Sequence, residues 1–394
     1  MKAKDDLKMK TLIYFYEDFM RPSGGPSGYL YNLKKRRDEL GDKEIVFLSK
    51  KEFRRPVLYG SRNRLHKLFG TDKTLPENAR RVEQVIYESE MNGPFDLNEY
   101  DIVHFHNTFD LYSQKKNLEN FKGKVLLTSH TPMVPHKEFI GEYCTPEEYA
   151  EHKEIYDKVA MFDRFSFERA DYIVFPCREA EEPYFHTWDD YESLRKQEKI
   201  LYVPTGVPAC VPEKAREEVR SELSIPDDRF VISFTGRHNT VKGYDSLISM
   251  FGKLDGVTVL CCGKETGIRH PESPCWIETG WTDDPYSYVN ASDLFILPNR
   301  ETFFDLSLLE TLSVGKSSLI SYTGGNKVFK DREECGIYTY GSEEEALNRI
   351  RRIMSEDKAA KAEKEARQRE FFEEEYSIEK FYDRYKEMLR SICS

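Results

Sequence analysis

A chain of 394 residues, 39% of them hydrophobic and 33% charged, is long enough for two domains with separate cores and is not a disordered polymer. Its formal net charge of -11 excludes general nucleic-acid binding, which needs a basic footprint. No apolar run nears the roughly 20 residues of a membrane-spanning helix. The short run 12–16 stops at Glu17-Asp18, too soon for a signal-peptide core, so a cytoplasmic protein is expected. The eight cysteines form no C-x-x-C pair, and Cys177, Cys261 and Cys262 sit in apolar runs. They read as buried free thiols, with neither a disulfide framework nor a zinc site.

The first strand is expected over 10–16, followed by the loop 21–28, RPSGGPSG, and a helix over 29–40. Glycines let backbone approach a ligand, and a helix start supplies amides. The spacing is not G-x-G-x-x-G, so the dinucleotide fingerprint is excluded, and a plain flexible loop is the alternative. A second strand follows over 44–48. Between Leu30 and Gly70 twelve Lys/Arg face five Asp/Glu, and SRNRLHKLFG at 61–70 has the pattern of a short amphipathic helix. This stretch reads either as an acceptor or membrane-surface patch, or as a solvated face over a satellite core.

Residues 76–91 read as helix, and 100–105 and 125–129 as strands. Near them lie His104 and His106, two apart on one strand face, then His130 and His136. No carboxylate or thiol is placed to complete a tetrahedral set, so no metal is expected there. Thr145-Pro146-Glu147-Glu148 is an N-cap, an N1 proline and an acidic first turn, opening one long helix to about Arg169. Strands at 172–175 and 200–203 flank a helix at 179–185. Gly206, Pro208 and Pro212 then mark the linker.

Beyond it, strands are expected at 230–234, 257–261, 276–278, 293–297 and 318–321, with helices between. From Glu343 the chain reads as mostly helical, ending in one long aromatic-faced helix over 371–392. Two stretches there carry chemistry. In FTGRHNTVKG, 234–243, a strand runs into Gly236-Arg237, and Lys242-Gly243 precede a helix. Two cations at a strand's carboxyl end, close to a helix start, suit a diphosphate. In DLFILPNRETFFDLSLLETLSVGKSSLISYTGGN, 293–326, a buried strand leads into a polar-aromatic loop, then Asp305 as N-cap and a leucine-rich helix ended by Gly315. Amides near Leu306 and Ser307 suit an anion, while Glu301 and Glu310 on either side suit hydroxyls. Phosphate plus polyol describes a nucleotide-sugar. An ordinary strand–helix–strand unit with two solvated glutamates is the plainer alternative.

The pairing of G-R-x4-K-G with P-N-x-E and a Leu-Leu-Glu helix resembles the carboxyl-terminal domain of the family 4 glycosyltransferases (glycosyl transferases group 1). That resemblance implies an α/β chain with the GT-B fold: two Rossmann-like doubly wound parallel-sheet domains facing across a cleft. It places them at residues 1–205 and 206–370, with 371–394 as a helix crossing back to the first domain. It implies transfer of a sugar from a nucleotide-diphosphate donor, most often a UDP-sugar, to a glycan, glycolipid or protein-linked acceptor. The reaction would be retaining and metal-independent, with no cofactor and no nucleic-acid partner. By the same resemblance Gly24 and Gly25 face the donor phosphate and His130 lies next to the transferred sugar. Gly236, Arg237 and Lys242 take the diphosphate, and Glu310 takes the ribose hydroxyls. Glu301, with loop amides at Phe304, Asp305 and Leu306, holds the sugar.

The chain departs from the family at one place. Eight residues separate Glu301 from Glu310, where the family has seven, and a spacing of seven would put the first acid at Thr302. Either the loop bulges by one residue or Asp305 takes part of the first acid's role. No D-x-D occurs in the chain, which leaves the leaving diphosphate to Arg237, Lys242 and helix amides. Three other readings stay open: a silent GT-B subunit serving as chaperone or acceptor-binding partner, a sugar-nucleotide epimerase, and a glycan phosphorylase, which would expect a pyridoxal-phosphate lysine and a far longer chain.

Overall fold

A computed structural model describes residues 9–22, 24–49, 72–91 and 96–393. Contacts divide the chain into two compact units: Met1–Phe175 with Glu182–Val203 and Met388–Ser394, and Pro176–Glu181 with Pro204–Glu387. Among the described residues each unit holds one six-stranded sheet, and the pairings are parallel.

In the first unit the strands are β1 (Thr11–Tyr14), β2 (Ile45–Phe47), β3 (Ile102–Phe105), β4 (Lys124–Leu127), β5 (Tyr172–Phe175) and β6 (Ile200–Tyr202), in the order β2-β1-β3-β4-β5-β6. The helix after β1 spans Gly25–Leu40, one turn earlier than the sequence reading placed it. Gly24 is its N-cap, at φ 73, and Pro26 sits in its first turn, where a missing N–H costs nothing.

In the second unit the strands are β7 (Phe230–Thr235), β8 (Val257–Cys262), β9 (Trp276–Gly280), β10 (Leu294–Leu297), β11 (Ser318–Ser321) and β12 (Ile337–Tyr340), in the order β12-β11-β10-β7-β8-β9. The chain reverses its direction of winding between β7 and β10, which pair through Leu294 with Ile232 and Phe295 with Ser233. In an open parallel sheet the ligand crevice lies at that reversal, beyond the carboxyl ends of the strands. β10 shows why its sequence is apolar throughout. Leu294 and Ile296 enter one core cluster and Phe295 and Leu297 the other, so both faces of the sheet are buried.

Three expectations about elements are corrected. The segment after Thr145 is three helices, Pro146–Glu151, Lys153–Tyr156 and Val159–Arg169. Thr145 does cap the first, accepting from the Glu148 amide at 3.1 Å. The turn then opens at His152, where φ is -117, and the Tyr149 hydroxyl donates to Asp157 at 2.7 Å, bridging the pieces. The expected single helix over 371–392 is likewise two, Lys358–Glu375 and Ile378–Cys393. The linker runs through the break: the Val207 amide donates to the Tyr376 carbonyl at 3.0 Å, and Val207 bridges to Ser377. Finally, β12 has no counterpart in the sequence reading.

None of the described helices is long and apolar enough to cross a membrane. The eight cysteines are free, and Cys177, Cys261 and Cys262 are buried. The basic stretch lies outside the described residues over 50–70. In its described part Lys34 pairs with Glu17 and Asp38, Arg37 with Asp38, and Arg36 with Glu39.

Candidate active site

The two chemical stretches meet at the carboxyl ends of β7 and β10. Gly243 makes that meeting possible. Its φ is 65, and a Cβ there would overlap the carbonyl oxygen of Pro298. The Arg300 amide donates to the Val241 carbonyl at 3.0 Å, and the Arg300 guanidinium pairs with Asp245. The 236–243 loop and the 298–305 loop are thus one piece. Below the second loop, Gly324 and Gly325 leave room for the carbonyls of Thr302 and Phe303, and the Gly325 amide donates to Thr302 at 3.1 Å.

Most amides of the first loop are engaged internally. Gly236 donates to Cys262 at 2.9 Å, His238 to Lys264 at 3.0 Å, and Lys242 to the Asn239 side chain at 2.9 Å. The loop's offer to an anion is therefore its side chains, the exposed Arg237 and the half-buried Lys242. Behind them His238 is 2% exposed and stacks on Tyr244 at 4.1 Å, with Glu278 3.5 Å from its Nε2. Burial pulls the His238 pKa down, against the pull of Glu278. Glu278 also accepts from the Trp276 indole at 2.6 Å and from the Tyr244 hydroxyl. This buried cluster fixes the floor under Arg237.

Asp305 is the N-cap of the helix Leu306–Val314 by position, yet its side chain makes no cap bond. The carboxylate turns inward to Lys242, pairing through Oδ1, and accepts at Oδ2 from Asn299 and from Thr302 Oγ1, the latter at 2.6 Å. The expectation of a capping Asp305 side chain is corrected: a charged partner outcompetes the backbone amides for it. The helix start is left without a side-chain cap, and the cation expected to meet a diphosphate already holds an internal acid. Thr302 is 2% exposed. Glu301 is partly exposed in the same loop, and Phe304 packs its ring against Phe329 and Tyr376.

Glu310 lies one turn into the helix. Burial raises its carboxyl pKa to about 7, and a hydrogen bond from Tyr286 draws it back. Cys210 beside it is pushed up to about 12, chiefly by burial and then by the Glu310 charge. Tyr286, Asn299 and Thr302 were not foreseen as site residues. Asn299 stands inside the P-N-x-E motif and so carried a signal, whereas Tyr286 is brought in by a helix with no motif.

In the first unit His106 Nδ1 and His130 Nε2 are 2.9 Å apart, and His104 Nε2 is 2.9 Å from Thr128 Oγ1. His130 sits at φ 59, an uncommon conformation for a side-chain-bearing residue that often marks a functional position. Burial lowers the pKa of His130 and of His104 to about 3, so both are neutral near pH 7. His136 is half-buried and tied to a buried acid instead, donating from its amide and bonding through Nδ1 to Asp163 at 2.7 and 2.8 Å. Among the described residues no group of three or more His, Cys, Asp or Glu is arranged to hold a metal ion.

Residues 229–356 match the sequence model of the family described as Glycosyl transferases group 1. No curated protein matches the chain in sequence. Among solved structures, sucrose-phosphate synthase from Thermosynechococcus elongatus is similar at 16% identity and a TM-score of 0.66, covering 98% of this chain and 99% of that one. HepE of Anabaena, solved with UDP and glucose, is similar at 14% identity and a TM-score of 0.63, covering 97% and 100%. A glycosyltransferase from Rickettsia africae gives 16% identity and 0.64, covering 98% and 99%. The fold is that of these solved structures, and the match to the group 1 model lies within the second unit.

Two outcomes follow from this geometry. Gly243→Ala forces the β7 and β10 loops apart and adds left-handed strain, so it should destabilise the protein by more than 1 kcal/mol. A denaturation midpoint equal to wild type would refute the contact. Glu310 binds its proton more tightly folded than unfolded. The stability held by the neutral acid is therefore complete below about 4.5 and lost as pH rises through about 7. Glu310→Gln, neutral throughout, should match wild type near pH 4 and exceed it at pH 8 by on the order of 1–3 kcal/mol in urea unfolding. An equal difference at both pH values would place the carboxyl in solvent.

Proposed function

We propose that the chain is a retaining, metal-independent glycosyltransferase that takes a nucleotide-diphosphate sugar, in the first place a UDP-sugar, and transfers the sugar to a glycan, glycolipid or protein-linked acceptor. The observation that carries this reading is the convergence of Arg237, Lys242 and an uncapped helix start at the winding reversal of the second sheet, with Glu310 one turn further in. Fixed positive charge and amide dipoles at that point stabilise the negative charge that develops on a leaving diphosphate. Glu310 is assigned to the ribose hydroxyls and Glu301 to the sugar hydroxyls. His130, neutral and held by His106, is the proposed group beside the transferred sugar. Gly24 and Gly25, at the start of their helix, are assigned to the phosphate side. The structures of HepE with UDP and with UDP-glucose support the choice of uridine. For an anionic or membrane-borne acceptor, the basic stretch 30–70 is the proposed contact.

One observation favours a second reading, the silent subunit. Lys242 is paired with Asp305, so the cation most needed for the diphosphate has a competitor within the chain. The two readings differ on binding. A panel of UDP-, GDP- and ADP-sugars in thermal unfolding should give a shift for one base, since ligand at 100 times Kd stabilises by about 2.7 kcal/mol.

Arg237→Ala and Lys242→Ala should each lower turnover by a factor corresponding to roughly 3 kcal/mol while leaving circular dichroism unchanged, as for a lost oxyanion donor. Near-normal turnover in either variant would be incompatible with this site. Glu301→Gln should lower turnover and leave UDP affinity intact, while Glu310→Gln weakens UDP itself. The reverse assignment would follow from the opposite pattern.

Activity should survive EDTA. Loss on chelation with recovery on Mn²⁺ or Mg²⁺ would show that a metal, and not the two cations, meets the leaving group.

A further inference from the structure

What His130 can do beside a sugar depends on which of its ring nitrogens carries the proton, and the first unit fixes that. β3 and β4 pair side by side, and the ladder continues past them, with the Thr128 amide donating to the Phe105 carbonyl at 2.9 Å. His104 and His106 share one face of β3 and its extension, so each meets the residue 24 positions on. His104 meets Thr128 and His106 meets His130, both at 2.9 Å. His106 is fully buried, and its ring is packed between those of His104, 4.1 Å away, and Tyr29, 5.7 Å away. Tyr184 holds the other partner: its hydroxyl bonds the side chains of Ser129 and Thr131, on either side of His130.

Proton counting then chooses the tautomers. A neutral imidazole has one N–H and one bare nitrogen, and burial keeps both His106 and His130 neutral near pH 7. The contact between His106 Nδ1 and His130 Nε2 needs one proton, so one ring donates and the other accepts. Were His130 the donor, the proton of His106 would sit on its Nε2. That atom is buried with no hydrogen-bond partner among the described residues. A buried N–H without an acceptor forfeits its hydrogen bond to water, and orphaned N–H groups are rarer in proteins than under-used acceptors. The reverse arrangement puts a bare nitrogen there instead. His106 then donates through Nδ1, and the proton of His130 is left on its own Nδ1.

We infer that His106 is a positioning residue that holds His130 with its proton on Nδ1, as a hydrogen-bond donor. This rests on the place given to His130 in the proposed function. His130 then offers the sugar an N–H, while its one lone pair is taken by His106. It has none left to receive the proton of an acceptor hydroxyl, so it is not the general base.

The test is two-bond ¹H–¹⁵N spectroscopy of the full chain labelled in its nine histidines, which separates the two neutral tautomers of each ring. The signals of the pair are identified by their loss in His106→Phe and His130→Asn. In the wild type both rings should show the Nδ1–H pattern, unchanged from about pH 6 to 8. His106→Phe keeps a flat ring and removes the donor, and it should release His130 from that pattern. With a nucleotide-sugar as donor, the same variant should lower kcat roughly 10- to 100-fold, leaving donor KM and circular dichroism unchanged. His106→Asn, whose amide can stand at the Nδ1 position, should recover most of that loss. An Nε2–H pattern for His130 in the wild type would overturn the inference, and so would full turnover in His106→Phe. Should His106→Phe not fold, the wild-type spectrum still decides. A wild type that shows the Nδ1–H pattern and transfers from no nucleotide-sugar would overturn the proposed function and support the tautomer assignment.

Discussion

The second unit depends on a contact that only glycine permits, where the helix start at Gly243 lies against the Pro298 carbonyl. Without it the ends of β7 and β10 would stand a side chain further apart, and the 236–243 and 298–305 loops would be independent. With it, the Arg300 amide reaches Val241, and two motifs some sixty residues apart become a single surface. The position is dictated by topology. The winding reversal leaves a gap between neighbouring helices, and a gap at strand ends is where a ligand's charge can be met by helix amides without steric conflict.

Electrostatics then decides what that surface can do. Lys242 and Asp305 are both mostly buried, with side-chain exposures of 23% and 13%. A lone ammonium at such a site would be costly, and the pair removes that cost in the unliganded protein. In the proposed donor site, a diphosphate taking Lys242 would release Asp305 from the ion pair. The carboxylate is not stranded, because Asn299 and Thr302 still donate to it. The net change is one anion exchanged for a more highly charged one, with repulsion between diphosphate and Asp305 as the opposing term. In the proposed donor site this exchange would set how strongly a diphosphate binds.

The sequence made the strands of the second sheet legible wherever both faces are buried, because an unbroken apolar run such as Leu294–Leu297 has no other reading between a polar loop and a helix. It concealed β12, whose four residues pair on one side only and alternate too briefly to show a period. It also concealed the break at Tyr376. That break is set by the linker reaching across from Val207, a contact more than 160 residues distant that no local propensity reports. The cations and Glu310 were legible as types at spacings. The inward turn of Asp305 was not, since Ser, Thr, Asn and Asp before a leucine-rich helix all signal a cap, and only the tertiary arrival of Lys242 diverts the side chain.

The additional residue between Glu301 and Glu310 gains a physical meaning from the same interaction. A spacing of seven intervening residues would put the first acid at Thr302, and that position is interior: its hydroxyl bonds Asp305 and its carbonyl receives the Gly325 amide. An ionised side chain there would stand beside Asp305 in a space with one lysine for two acids. A hydroxyl can donate to Asp305 where a carboxylate would repel it. The neighbouring acid, Glu301, stands where the loop is still partly open to solvent. In this chain Thr302 and Asp305 thus form one hydrogen-bonded pair beside Lys242, with Glu301 on the more open side of the loop.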